Sequence, residues 1–261
     1  MIQRTGFYPN FIAFKTILSK EIWRFLRIWS QTLLPPAITM SLYFIIFGKF
    51  IGSQIQAIEG YTYIQYIVPG LIMMSVITNA YVNTAASFFL TKFNKSIEEM
   101  LVSPMSNLIL LLGMMLGGTL RGLMIGIIVF IVALTFTHVP LQHLGIAFVM
   151  AILASMVFSL GGLINGIYAK RFDDISFIPT FVLTPLTYLG GVFYSIQQLP
   201  PIWRSISLFN PVLGMVDTFR YGLLGISDLN IYWGFSLVSL LFVILFAWAW
   251  FLLHKGVGIK V

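Results

Sequence analysis

The sequence predicts an all-α integral membrane protein: six transmembrane helices, an N-terminal interfacial amphipathic helix and an external re-entrant segment between helices five and six. Three observations carry this reading. Of 261 residues, 59% are hydrophobic and 9% charged, against about 25% charged in soluble domains. A soluble core of this size could not bury so much apolar surface, whereas a bilayer removes the need. The apolar residues also gather into six runs near the roughly 20 residues that cross a bilayer. The cations, finally, flank those runs mostly on one side. An aromatic content of 16%, much of it near the ends of the runs, suits interfacial anchoring.

The expected spans are about 33–51, 63–89, 107–136, 144–167, 175–194 and 232–253. No break in composition and no internal repeat divides them, so residues 31–261 form one six-helix unit behind an N-terminal segment, 1–30. One side carries Arg4, Lys15, Lys20, Arg24, Arg27, Lys92, Lys95, Lys170, Arg171, Lys255 and Lys260, and the other Lys49, Arg204 and Arg220. The positive-inside rule places both termini in the cytoplasm, and an even number of spans requires them to share a side. The net charge of +7 is thereby explained by topology and needs no nucleic acid, since no Lys/Arg-rich block occurs. A charged stretch of about thirty residues before the first long apolar run does not fit a cleavable signal. With no cysteine, there is neither a disulfide framework nor a cysteine metal site.

Ahead of the first span, Phe11, Phe14, Leu18, Ile22, Phe25 and Trp29 recur at helical spacing, with Lys20, Arg24 and Arg27 opposite. Such a helix lies in the membrane interface, its aromatic face in lipid and its cations toward headgroups or a partner. The loop after span two reads Glu98-Glu99-Met100-Leu101-Val102-Ser103-Pro104, a short helix that Pro104 would end. The loop after span four reads Lys170-Arg171-Phe172-Asp173-Asp174. Mixed charge of this kind is either a solvated surface or a docking site.

No phosphate-binding loop occurs, so the chain does not hydrolyse ATP by that route. His138, His143 and His254 have no metal-ligand spacing to a carboxylate, and no catalytic constellation is apparent. All eight acidic residues (Glu21, Glu59, Glu98, Glu99, Asp173, Asp174, Asp217 and Asp228) fall outside the six apolar runs. This disfavours coupling to an ion gradient, which uses ionisable groups inside the spans. An ion-coupled transporter, a lipid-modifying enzyme and a membrane-embedded scaffold are the rival readings. Arg121 is the one charge well inside a span, roughly 20 Å along the third helix from Asn107. A hydrogen-bonding role and a substrate contact are both open to it.

Within the spans, Gly113, Gly117, Gly118, Gly122 and Gly126 allow close helix approach. Polar residues form stripes: Ser75, Asn79, Asn83 and Ser87 on span two, Thr180, Thr184 and Tyr188 on span five, and Thr32, Thr39 and Tyr43 on span one. Polar faces are costly in lipid, so they turn toward neighbouring helices or a shared pathway. Between spans five and six, Asn210-Pro211 is a helix start, and the run 212–224 is too short to cross and is read as re-entrant or interfacial.

Several stretches together resemble the type-2 ATP-binding-cassette (ABC-2) exporter permeases, and within them the YadH-like inner-membrane permease subunits. They are Glu98 to Pro104 as written above, Phe172-Asp173-Asp174-Ile175-Ser176-Phe177-Ile178-Pro179-Thr180, and Leu183-Thr184-Pro185-Leu186-Thr187-Tyr188-Leu189-Gly190-Gly191-Val192-Phe193. Asn210-Pro211 and Arg220-Tyr221-Gly222 complete the set, and the resemblance runs over essentially the whole chain. It implies an inner-membrane subunit whose partners are two copies of a separate ATPase and a second permease copy, expected to be a homodimer. ATP and Mg are then used by the ATPase, and this chain binds no cofactor. The 11–29 helix corresponds to the family's interfacial connecting helix. Glu98, Glu99, Met100, Leu101 and Pro104 correspond to its first coupling helix, and Arg171, Asp173 and Asp174 to a second, smaller contact. The resemblance further implies a pathway at the permease dimer interface, lined by spans one, two and five. The residues expected there are Thr39, Tyr43, Ser75, Asn79, Asn83, Thr180, Thr184 and Tyr188. The segment after span five corresponds to an outer gate, and the mechanism implied is alternating access. Substrates of the family range from drugs to lipids, lipo-oligosaccharides and polysaccharides. Tyr43, Tyr66 and Tyr188 offer either aromatic platforms for sugars or interfacial anchors.

Overall fold

A computed structural model describes residues 7–258 apart from Gln56 and Pro104, with the backbone alone for Phe7, Tyr8, Lys49 and Leu101. Arg4, Lys260 and Pro104, used above for orientation and helix ending, lie outside the described residues. The described chain is helical throughout and contains no strand. Helix α1 (Phe7–Arg27) breaks at Ile28, and α2 (Trp29–Thr32) and α3 (Leu34–Tyr43) follow. Pro35 and Pro36 sit in the first turn of α3, where a missing N–H leaves no helical bond unmade. The rod then widens into a π-helical stretch, Phe44–Ile51.

Helix α4 (Tyr63–Phe93) is the centre of the bundle and the most buried of the long helices. It begins where the Thr62 backbone N–H and hydroxyl both donate to Gln65 Oε1, at 3.0 and 2.9 Å. A left-handed residue, Lys95 (φ +58°), turns the chain into the short helix α5 (Ser96–Val102). Helix α6 (Asn107–Phe136) and α7 (Leu144–Tyr168) return across the bundle. After them come α8 (Phe172–Ile178), a π-helical turn Pro179–Leu183 and α9 (Thr184–Tyr188), one continuous rod. Beyond a turn lie α10 (Pro201–Leu208), α11 (Pro211–Leu224) and α12 (Ile231–Lys255). The Asn210 and Asn230 side chains cap α11 and α12 by accepting the Val212 and Tyr232 N–H groups.

Among the described residues, five helices are long and apolar enough to cross a membrane: Trp29–Gly48, Tyr63–Phe93, Asn107–Phe136, Leu144–Tyr168 and Ile231–Lys255. The expected fifth span departs from its sequence boundaries, beginning at Phe172 and ending at Tyr188 instead of residue 194. Its pieces of 7, 5 and 5 residues make a rod of about 25 Å, short of the roughly 30 Å hydrocarbon core. Two prolines explain its form. Pro179 and Pro185 cannot donate to the preceding turn, and the Thr184 N–H reaches back five residues to the Pro179 carbonyl. The rod stops at Gly190-Gly191, where Gly191 takes φ +68°, a conformation costly for other residues.

The glycines of α6 divide between two neighbours. A Cβ on Gly113 would stand 2.6 Å from Ile17 Cγ2, and one on Gly117 would stand 2.6 Å from Glu21 Cβ, so this stripe seats α1. Gly122 and Gly126 instead face Val76 and Ala80 of α4, and Gly118 faces Thr84 and Ser159. Without a hydrophobic force between helices in lipid, such close backbone approach supplies the packing. Helix α11 does not lie on the surface. It is buried along nearly its whole length between α4, α7 and α12, whereas α10 leaves Ile202, Trp203 and Ile206 exposed.

Candidate functional site

The two charged loops gather at one end of the bundle, where α4 and α7 finish. Lys92 Nζ donates to the Ile167 and Ala169 carbonyls at 2.7 and 2.5 Å, so a cation of α4 closes the C-terminus of α7. From this anchored corner α5 projects. Ile97 is buried beneath it, Met100 is half-buried, and Glu98 and Glu99 are exposed in its first turn. The Leu101 side chain and Pro104 lie outside the described residues. In the second loop Arg171 and Asp173 are exposed. Asp174 Oδ2 accepts the Lys170 and Arg171 N–H groups at 2.8 and 2.9 Å and so caps α8. The Arg171 and then the Lys170 N–H bonds hold the Asp174 carboxyl below the ordinary carboxylate range.

The polar stripe of span two divides along its length. Ser75 Oγ donates to the Leu71 carbonyl at 2.9 Å and Asn79 Nδ2 to the Ser75 carbonyl at 3.0 Å, both within α4. Asn83 and Ser87 instead meet charges from outside the helix. Asn83 Oδ1 accepts Arg24 Nη2 at 2.7 Å and Arg121 Nη1 at 3.2 Å. Ser87 Oγ donates to Glu21 Oε1 at 2.6 Å, and Glu21 Oε2 pairs with Arg24 at 3.0 Å.

This network corrects two sequence expectations. Glu21 precedes the first span in sequence, yet it is wholly buried beside α4 and α6. Arg24 does not follow Lys20 and Arg27 away from the bundle but reaches into it. The reason is the line Ile17, Glu21 and Phe25, spaced by four residues and buried. That line shares Phe25 with the aromatic arc, so Phe25, expected in lipid, is buried instead; Ile17 and Glu21 dock on the Gly113–Gly117 stripe, and Phe11 and Trp29 stay exposed. A carboxylate in register with two apolar residues was the signal in the sequence. Arg121 makes the hydrogen-bonding contact that was one of its two readings.

The expected pathway residues of spans one and five lie toward the surface, and the two tyrosines bring the spans together. Thr39, Thr180, Thr184 and Tyr188 are exposed and Tyr43 is half-buried. The Tyr43 and Tyr188 hydroxyls meet at 3.3 Å, and Phe193 packs its ring against both tyrosines and Phe47. Thr184 Oγ1 bonds the Pro179 carbonyl at 3.0 Å. Phe177, Phe181 and Val182 of the same rod are exposed as well, so its surface combines hydroxyls with large apolar groups.

At the opposite end, a second charged network that sequence reasoning missed ties the segment after span five to α4. Arg220 is buried, lies 4.1 Å over the Tyr66 ring and donates to the Gly191 and Tyr66 carbonyls at 2.5 and 3.4 Å. Asp217, 3.8 Å from Arg220, accepts the Asp228 and Leu229 N–H groups and the Ser227 hydroxyl. Asp228 in turn accepts from the Ser195 hydroxyl and the Ile196 N–H.

Comparison with known proteins agrees with this architecture. Residues 12–224 match the family model described as ABC-2 type transporter. The chain is 52% identical over 251 residues to "Inner membrane transport permease YadH" of Escherichia coli (strain K12), covering 95% of this chain and 97% of that protein. It is 26% identical over 183 residues to "Nodulation protein J" of Rhizobium leguminosarum bv. viciae, covering 68% and 69% of the two chains. The chain belongs to the ABC-2 type transporter family, as a permease subunit that is not itself an enzyme and that works with an ATP-binding partner.

Proposed function

We propose that the chain forms the membrane pathway of an exporter in the bacterial inner membrane, as two copies driven by two copies of the ATPase. The five long helices and the α8–α9 rod make six crossings, with α10 and α11 as a re-entrant segment on the outer side. Both termini, α5 and the 170–174 loop face the cytoplasm, in keeping with eleven cations on that side against three on the other.

One observation carries the reading. Helix α5 holds Glu98 and Glu99 exposed on a buried Ile97, at the end of the most buried of the long helices. A rigid element so placed passes force from an ATPase surface to α4. Glu98 and Glu99 supply charge complementarity, Met100, Leu101 and Pro104 complete the contact, and Arg171, Asp173 and Asp174 form the smaller second contact. ATP binding draws the two ATPase subunits together, the coupling helices move the spans as rigid bodies, and the pathway opens outward. Hydrolysis resets it. The second permease copy covers Thr39, Tyr43, Thr180, Thr184 and Tyr188, and cargo passes along them; Ser75 and Asn83, expected from the sequence to line the pathway, are buried within the protomer and stand apart from it.

The test is the double variant Glu98→Lys, Glu99→Lys, purified with the ATPase. Substrate-stimulated ATP hydrolysis is expected to disappear while membrane insertion stays normal, and wild-type coupling in that variant overturns the assignment.

A further inference from the structure

The network around Asn83 is unbalanced. Two guanidinium groups, Arg24 and Arg121, converge on one neutral carbonyl oxygen, Asn83 Oδ1. A single carboxylate, Glu21, pairs with Arg24, and Arg121 has no ion pair among the described residues. Arginine does not shed its proton to relieve this, and uncompensated charge inside a membrane protein is expensive. Three donors in the cluster find no acceptor among the described residues: Arg24 Nε, Arg121 Nε and Asn83 Nδ2, the last on a fully buried side chain. An arrangement of donors in excess over acceptors, with one surplus positive charge, is complementary to one more anion.

A second observation sets a cation-lined pocket beside this cluster. The surface of α1 carries a pocket of about 550 Å³ lined by Lys20, Trp23, Arg24, Leu26 and Arg27. Three of these five are cations and none is acidic. Arg24 belongs to both places, lining the pocket and reaching Asn83.

We propose that Arg24, Arg121 and Asn83 form a binding site for a phosphate-type acidic group, entered through the Lys20–Arg27 side of α1. Guanidinium groups suit phosphate oxygens because they offer several donors in one plane. Lys20 and Arg27 concentrate the anion at the mouth, and Arg24 and Arg121 neutralise it at the inner end. The group comes either from a lipid headgroup or from a free anion. This inference concerns equilibrium binding and does not depend on the direction of transport or on the ATPase.

The experiment uses the full chain purified in a neutral detergent and follows its thermal unfolding. Short-chain phosphatidylglycerol and inorganic phosphate are titrated separately. At least one is expected to raise the melting temperature saturably. A response to the lipid alone identifies a headgroup site, and a response to both identifies a site for the free acid group. Arg121→Met is expected to weaken binding about tenfold or more, the loss of one charge-assisted contact, whereas Arg204→Met on the exposed helix α10 leaves it unchanged. Asn83→Asp supplies the missing negative charge covalently, so it is expected to match or exceed the anion-free stability of the wild type and to abolish the response. Failure of both anions to shift the wild type overturns the proposal. So does undiminished binding by Arg121→Met or, if that variant does not fold, by Asn83→Asp.

Discussion

Ser87 Oγ donates a 2.6 Å hydrogen bond to Glu21 Oε1, joining a helix that precedes the first span to the most buried of the long helices. Glu21 is fully buried and also pairs with Arg24, so the bond belongs to an ionic network. Removing one partner of a buried pair strands the other. Glu21→Ala is therefore expected to cost about 3–5 kcal/mol, because Arg24 and Arg121 are left with no counter-charge. Ser87→Ala is expected to cost about 1–3 kcal/mol. Thermal or denaturant unfolding in detergent, with the double variant to close the cycle, measures both and their coupling.

The same contact shows what was legible in the sequence and what was not. The long spans could be read because twenty or more apolar residues have few other uses, and Asn210-Pro211 marks a helix start locally. Ser75, Asn79, Asn83 and Ser87 could be read as one stripe but not apportioned. Serine and asparagine can satisfy themselves on their own helix, as Ser75 and Asn79 do, or on a neighbour, as Asn83 and Ser87 do. Only packing decides between these, and spacing within α4 holds no information about α1. The shortened α8–α9 rod was obscured for the opposite reason. Its apolar content runs on to residue 194, while backbone geometry at Gly191 ends the helix first.

Close packing between α4 and α6 is open to a direct test. A Cβ on Gly122 would lie 2.8 Å from the Val76 carbonyl oxygen and 2.9 Å from Ala80 Cβ, backbone or short side chain on both sides. Neither neighbour can swing away. Gly122→Val is expected to force the helices apart and to cost at least about 1–3 kcal/mol, the range for overpacking. Gly145→Val, where a Cβ meets nothing within 4 Å, is the control expected to unfold at nearly the wild-type temperature.

Arg220 fixes the opposite end by means that lysine cannot copy. Its plane lies over the Tyr66 ring while separate nitrogens reach the Gly191 and Tyr66 carbonyls. Lysine keeps the charge but has one nitrogen and no planar fork. Arg220→Lys is expected to lower stability by about 1–3 kcal/mol, the cost of carbonyls left without a partner in a buried site. Hydrogen exchange should quicken at the backbone around Gly191 before it does at the middle of α4.

The Asp174 cap of α8 sets a pH dependence with a definite sign. Its carboxyl is held below its ordinary range by the Arg171 and Lys170 N–H groups. A depressed folded value means that the contribution to stability is complete above the unfolded carboxylate value, about 3.9, and is lost as pH falls through the lower folded one. Exchange protection of the Lys170 and Arg171 amides is therefore expected to persist at pH 5 and to fade only in stronger acid. Asp174→Ala, which leaves those amides no acceptor, is expected to lack this protection at every pH.

Tyr43 and Tyr188 separate a functional role from a structural one. Their hydroxyls meet at 3.3 Å on a face where Tyr188 is 42% exposed, so water can replace the bond when it is cut. Tyr43→Phe and Tyr188→Phe are each expected to change stability by less than about 1 kcal/mol, in line with a net hydrogen bond at a wet site. The rings that pack against Phe193 remain in both variants. If cargo passes along this face, the double variant should show an altered substrate concentration for half-maximal stimulation of the ATPase, with unchanged basal hydrolysis and unchanged unfolding temperature. If the two tyrosines are only interfacial anchors, the stimulation curve should overlay that of the wild type. A loss of basal hydrolysis together with a lowered unfolding temperature would instead assign them to the packing of the bundle.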